Sequence, residues 1–220
     1  MECYKLPRQP RAVCFDIDKT LYTNDDYADG QITVLIERLA AELGVSCEQA
    51  NERVDQTRQK IRMEGGEASL GNTFLSLGVP METSVAWRLV LIRPGDFLKR
   101  DGQLHGSLLR LHDAGITLAA LTNNPVGTGS AALSALGVLE LFTVVAGLDT
   151  TMRSKPDPAP FRWVLRSLAL PASDVVFVGD RYGVDLEPAL ALGAGGILVS
   201  GVEEVYQTPG VLLRTPGGGA

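Results

Sequence analysis

The sequence predicts an α/β fold: a doubly wound parallel sheet of five strands carrying an all-helical insertion. Three observations predict it. From residue 101 onward, short apolar runs alternate with segments of helical periodicity, the pattern of right-handed β-α-β crossovers. A further apolar run, residues 12–15, stands alone before a long stretch, 23–98, with no convincing strand. Each apolar run ends in a polar cluster, and in an open parallel sheet such ends share one edge, where ligands bind.

Residues 12–15 (Ala-Val-Cys-Phe) read as a strand covered on both faces, and they lead directly into Asp16 and Asp18. Positions two apart at a strand end point the same way, so the two carboxylates emerge together and repel unless a cation or a shared proton intervenes. Ile32, Leu35, Ile36, Leu39 and Leu43 recur at helical spacing, with Gly44 as the stop. Ser46 and Gln49 form a capping-box pattern that opens a second helix reaching about residue 64, broken by Gly65-Gly66. Shorter helices are expected over 67–77 and from Pro80 towards Ile92, before a turn at Arg93-Pro94-Gly95. Helices joined by such short loops form a bundle.

The second half predicts helix 103–114, strand 116–121, helix 128–136, strand 143–146, helix 158–169, strand 175–178, helix 184–192 and strand 197–199. Pro158 and Pro160 suit the first turn of their helix. The expected organisation is a discontinuous core (1–22 and 99–207), an inserted helical unit (23–98) and a loose Gly- and Pro-rich tail (208–220).

With 220 residues the chain can bury a sizeable core. A net charge of −6 without a block of Lys or Arg argues against nucleic acid or an anionic membrane as partner. There is no span-length apolar run and no signal-peptide pattern, and Cys3, Cys14 and Cys47 are an odd, scattered set. The expectation is free thiols and a cytoplasmic protein, monomer or homodimer. His105 and His112 lie seven apart without Cys or acidic partners at ligand spacing, and read as surface residues rather than a zinc site.

The polar clusters fall at successive strand ends: Asp16 and Asp18 after the first, Thr122-Asn123-Asn124 after the second, Ser154-Lys155-Pro156-Asp157 after the third, and Gly179-Asp180 with Asp185 after the fourth. In this order, F-D-I-D-K-T, L-T-N-N, S-K-P-D-P and G-D-R-Y-G-V-D resemble the four motifs of the haloacid dehalogenase superfamily of phosphohydrolases, and the helical insertion resembles that family's cap. The resemblance covers residues 12–199. It implies a Rossmann-like core and a magnesium-dependent phosphomonoester hydrolase acting on a small phosphorylated metabolite. It also implies roles. Asp16 is the nucleophile that forms an aspartyl-phosphate, and Asp18 is the acid and then the base. Thr122 and Asn123, with its backbone N–H, bind phosphoryl oxygens. Lys155 neutralises the transferring group. Magnesium is held by Asp16, the carbonyl of Asp18 and Asp180, with Asp185 holding a bound water. Residue chemistry agrees, because a carboxylate can attack phosphorus only if the mutual repulsion is offset, and a hard divalent cation offsets it.

Other readings differ in what they need. A dehalogenase of the superfamily needs neither metal nor an aspartate at position 18. A phosphoacceptor receiver domain, or a catalytically inactive phosphate binder, pairs similar residues, but receivers are shorter and lack the insertion. Gly127-Thr128-Gly129-Ser130-Ala131-Ala132 with Asp149 mimics a dinucleotide fingerprint, although Asn123 to Val126 separate it from the strand. For the substrate, the cap layout resembles the pyrimidine 5′-nucleotidase branch, with Asn72 and Thr73 as expected specificity contacts and a nucleoside 5′-monophosphate as expected substrate. Gly179-Asp180, where that branch often carries Asp-Asp, points instead towards phosphoglycolate or sugar-phosphate phosphatases or mutases.

Overall fold

The computed structural model describes residues 1–66 and 68–213. Strands β1 (Glu2–Tyr4) and β2 (Ala12–Phe15) open the chain. Four helices follow: α1 (Asp25–Leu43), α2 (Cys47–Met63), α3 (Leu70–Ser76) and α4 (Met81–Leu91). The chain then runs α5 (Gly102–Asp113), β3 (Thr117–Leu121), α6 (Val126–Leu136), β4 (Phe142–Ala146), α7 (Leu148–Thr151), α8 (Pro158–Leu168) and β5 (Val175–Gly179). A π-helical turn (Tyr182–Leu186) leads into α9 (Glu187–Ala191), and β6 (Gly195–Leu198), α10 (Val202–Val205) and α11 (Thr208–Leu212) complete it.

The sheet has six strands in the order β1-β6-β5-β2-β3-β4, parallel except for β1, which pairs antiparallel with β6. β2 is central: Phe15 stands opposite Val178 of β5 and Ala120 of β3, so these strands end level with one another. All four β2 residues are buried because both faces are covered. Val13, Phe15, Leu118, Val176 and Val178 pack on one face against Leu104, Leu108 and Leu111 of α5 and Leu133 and Leu136 of α6. Ala12, Cys14, Ala119, Val175 and Phe177 pack on the other against Phe161 and Val164 of α8 and Ala189 of α9. This helix-sheet-helix sandwich is the expected α/β class.

The inserted helices form as their punctuation predicts. Gly44 ends α1 in the left-handed conformation at φ 64°, and the Ser46–Gln49 capping box opens α2. Ser69 caps α3, so that helix starts at Leu70; residue 67, where it was expected to start, lies outside the described residues. Leu35 and Leu39 of α1, Phe74 of α3 and Trp87 of α4 join the same apolar cluster as one face of the sheet.

Three expectations need correction. A sixth strand exists because Glu2–Tyr4 covers the outer edge of β6; three residues carry no readable periodicity, and the pairing comes from tertiary contact. The helix expected over 184–192 is split, with a π turn carrying Asp185 ahead of α9. The tail expected to be loose from residue 208 instead forms α11, with Thr208 and Leu212 buried against the core, while residues 214–220 lie outside the described residues. All three cysteines are free, Cys14 buried and the other two exposed. Among the described residues no helix is long and apolar enough to cross a membrane. The glycine-rich segment at 127–132 opens α6, and Asp149 caps that helix by accepting from the Val126 N–H at 2.8 Å.

Candidate active site

Asp16 is the first residue past β2, and its N–H still donates to the Val178 carbonyl (2.8 Å), which holds it to the sheet. Its side chain is 3% exposed. The Lys155 ammonium donates to Asp16 Oδ1 at 2.6 Å and to Asp185 Oδ1 at 2.7 Å, and lysine and both carboxylates are buried. Asn123 positions that lysine: its Oδ1 accepts from the Lys155 N–H (2.7 Å) and its Nδ2 donates to the Lys155 carbonyl (3.1 Å). Asn123 therefore acts on the lysine loop through its side chain, a link invisible from spacing.

Asp185 reaches the site because Gly179 lets it. A Cβ at position 179 would sit 2.4 Å from Asp185 Cβ, so only glycine allows that approach. Asp185 Oδ2 accepts from the Arg181 N–H at 3.1 Å, which fixes the carboxylate.

Asp16, Asp180 and Asp185 each place a carboxylate oxygen within 4.8 Å of the others. Burial, reinforced by Asp185 and Asp18 and opposed by Lys155, pushes the Asp16 carboxyl up to about 7. Burial, then the Asp185 charge, also raises Asp180. Burial alone would lower Lys155, but Asp16 and Asp185 more than overcome it and hold it above the ordinary range. Asp180 Oδ1 is buried and has no hydrogen-bond partner, with Arg181 Nε 3.6 Å away. Three hard oxygen donors, an excess of negative charge and an orphaned carboxylate oxygen together fit a hard divalent cation such as magnesium. Asp185, expected to hold only a bound water, belongs to this carboxylate group by position.

Asp18 faces a different set of partners. Its Oδ1 accepts from Tyr22 Oη (2.6 Å) and Gln31 Nε2 (3.0 Å), and its Oδ2 from Thr122 Oγ1 (3.2 Å) and Asn124 Nδ2 (3.0 Å). Asn124 is held in turn by Gln31 Oε1 (2.8 Å) and by Arg88 Nη1, which donates to its Oδ1 at 2.9 Å. Gln31 and Arg88 come from α1 and α4, so inserted helices complete the shell around a strand-end aspartate. Neither was read from the sequence. Gln31 had a signal, being the polar member of the buried i, i+4 stripe Tyr27-Gln31-Leu35-Leu39; Arg88 had none beyond lying four residues after Ser84.

A cavity of about 360 Å³ stands over these groups, lined among others by Asp18, Gln31, Arg58, Arg88, Asn123 and Asp180. The expected specificity residues do not line it. Thr73 is fully buried and its hydroxyl donates to the Ser69 carbonyl at 2.8 Å. Asn72 borders a separate depression with Leu75 and Pro80, and its Oδ1 accepts from Ser154 Oγ at 3.3 Å. Both sit one turn inside a helix rather than in an open loop. His105 faces Glu140 and His112 faces Asp113, and no metal-ligating group of described residues includes either.

Comparison with known proteins gives a consistent picture. A family model described as haloacid dehalogenase-like hydrolase matches residues 10–193. A phosphoglycolate phosphatase of Pectobacterium atrosepticum is 35% identical over 95 residues, 43% of this chain and 40% of that protein. The chain thus spans well under two thirds of that relative's length. Another, from Pseudomonas fluorescens, is 26% identical over 208 residues, covering 90% of this chain and 71% of that one. The crystal structure of a 2-haloacid dehalogenase from Pseudomonas syringae pv. Tomato DC3000 superposes with a TM-score of 0.60 at 20% identity, over 94% of this chain and 99% of that one, a likeness of fold.

Proposed function

The chain belongs to the haloacid dehalogenase-like hydrolase family, and from that premise we propose that it hydrolyses small phosphomonoesters through an aspartyl-phosphate on Asp16. The observation that supports this most is the Asp16–Lys155–Asp185 group beside Asp180, three side chains gathered about the Asp16 carboxylate. In this reading an Asp16 oxygen bonds to phosphorus as the ester oxygen departs. Asp18, on the cavity wall, gives that oxygen its proton, and then takes one from the water that cleaves the acyl-phosphate. Lys155 holds Asp16 in place and meets charge on the transferring group. Thr122, bonded to Asp18 rather than free, binds phosphoryl oxygens only if substrate displaces that bond. Asp16, Asp180, Asp185 and the main chain at Asp18 would hold magnesium, which would supply the positive charge that lets a carboxylate approach a phosphate.

The relatives named phosphoglycolate phosphatase favour a phosphorylated small acid over a nucleoside monophosphate, and the placement of Asn72 and Thr73 away from the cavity removes the contacts on which the nucleotide reading relied. A dehalogenase has no use for a general acid at position 18, and a receiver domain has no use for a cavity over the site.

The test is phosphate release from a panel of phosphomonoesters with magnesium and with EDTA. Chelation should abolish release and magnesium restore it; release indifferent to chelation contradicts the reading. Asp180→Ala removes an oxygen donor and should raise the half-saturating magnesium concentration by about tenfold or more; an unchanged requirement would exclude Asp180 from the ion's shell. Gly179→Ala drives Asp185 off Lys155. A displacement of that size should cost about a hundredfold in kcat, read by steady-state kinetics beside a thermal melt; a folded variant with wild-type kcat would show that the close approach is incidental.

A further inference from the structure

The cavity over Asp18 contains two arginines that no acidic side chain among the described residues pairs with. Arg88 is 6% exposed; its Nη1 donates to Asn124 Oδ1 and its Nε to Ser84 Oγ at 3.4 Å, both neutral acceptors. Burial pushes this guanidinium down to about 10. Arg58 of α2 reaches the same cavity with a buried Nε that has no hydrogen-bond partner. The other two cations of the lining differ: Lys19 pairs with Asp25 and Asp29, and Arg181 with Asp180 and Asp185. Asp18 is the negative charge that acts on Arg88 and Asp55 the one that acts on Arg58, but neither lies within ion-pair distance; a largely desolvated guanidinium without a directly bonded carboxylate gains most from a ligand anion.

Position says which part of a ligand that anion belongs to. Arg88 bonds Asn124, and Asn124 bonds Asp18, the residue that protonates the departing oxygen in the proposed reaction. In the proposed reaction the transferring phosphoryl lies at the other end, beside Asp16 and Lys155. Arg88 therefore faces the leaving group. We infer that Arg88, with Arg58 in the same cavity lining, forms a subsite for a carboxylate on the leaving group, so that the substrate is a short phosphorylated hydroxy acid. A guanidinium offers a carboxylate paired, charge-assisted donors, whereas a neutral sugar or nucleoside leaving group would bring neither arginine an ion pair. This inference rests on the phosphatase reading for the orientation of the ligand.

The test uses two non-hydrolysable isosteres, 3-phosphonopropionate and propylphosphonate, which differ in a carboxylate against a methyl. Their binding to the full chain in magnesium is measured by calorimetry. Wild type should bind the carboxylate compound about tenfold or more tightly. Arg88→Gln should bring the ratio close to one, and Arg88→Lys should keep part of it. If Arg88 only anchors α4 to Asn124, Arg88→Gln weakens both ligands alike and the ratio stands, which overturns the inference. So does a wild type without preference, or one that binds neither compound. Should Arg88→Gln fail to fold, Arg58→Gln carries the same comparison, and an unchanged ratio there removes Arg58 and the paired subsite. Turnover of 2-phosphoglycolate against ethyl phosphate separates the two claims. A binding preference with no phosphate release from any ester would sink the phosphatase reading and leave the subsite. Equal kcat/KM on both esters with no binding preference would sink the subsite and leave the phosphatase.

Discussion

Asp16→Asn loses about four orders of magnitude of turnover or more, and the variant melts at or above the wild-type temperature. The first half follows from chemistry. An amide is a poor nucleophile and a poor ligand for a hard cation, so one substitution removes the bond-forming atom and an oxygen donor together. The second half follows from the electrostatics of the buried group. Asp16 sits with Asp180 and Asp185, and burial pushes its carboxyl up to about 7, so its charged form carries a cost. Asparagine has nearly the same shape and no charge. Lys155 keeps its bond to Asp185 at 2.7 Å and is not left unpaired. Kinetics beside a calorimetric melt tests both halves. Substantial turnover in the variant contradicts the nucleophile assignment, and a large loss of melting temperature contradicts the electrostatic argument.

Lys155→Met should be the most destabilising single change in the site. Lys155 is 2% exposed and bridges two carboxylates, and removing one partner of such a buried group costs about 3–5 kcal/mol. In a chain of this size that is on the order of 10 °C in Tm. The sign with pH can be worked out. The folded-state pKa of Asp16 is raised above its unfolded value, so between about pH 4 and 7 the folded protein holds a proton that the unfolded chain has released. Stability from that source is present at the acidic end of the window and is lost as pH rises through about 7. Without Lys155 the carboxyl rises further, so the deficit of the variant should be smaller at pH 5 than at pH 8. Denaturant melts at the two pH values measure it. A deficit independent of pH would mean that the lysine stabilises by packing its alkyl stem, not by its charge.

The strand ends were legible because both faces of this sheet are covered. Residues 12–15, 117–121 and 175–179 are uninterrupted small or apolar runs, and the polar residue after each run has one place to go. Lys155 and Asp185 came with them, although nothing in their spacing shows that Gly179 admits the one or that Asn123 holds the other. The errors arise where tertiary contact overrides local pattern. Glu2–Tyr4 has no periodicity and becomes a strand by pairing with an edge. Asn72 and Thr73 are expected to touch substrate, but the Ser69 cap sets the register of α3 so that Thr73 turns inward and bonds the Ser69 carbonyl. A polar residue within an amphipathic helix is usually solvated, and only the packing of α1 and α4 over the strand ends brings Gln31 to Asp18 and Arg88 to Asn124. The core site was written in strand-end motifs; its helical wall depended on which helix faces are buried.

The claim at the centre of this account is that phosphorus becomes bonded to Asp16. Mixing the protein with magnesium and a turned-over phosphomonoester, quenching in acid within a turnover and mapping the peptides by mass spectrometry tests it directly. The account predicts a phosphoryl group on the peptide carrying Asp16, absent from Asp16→Asn and absent when the ion is chelated. A phosphoryl group on any other residue, or full turnover with no modified peptide at any quench time, would contradict it.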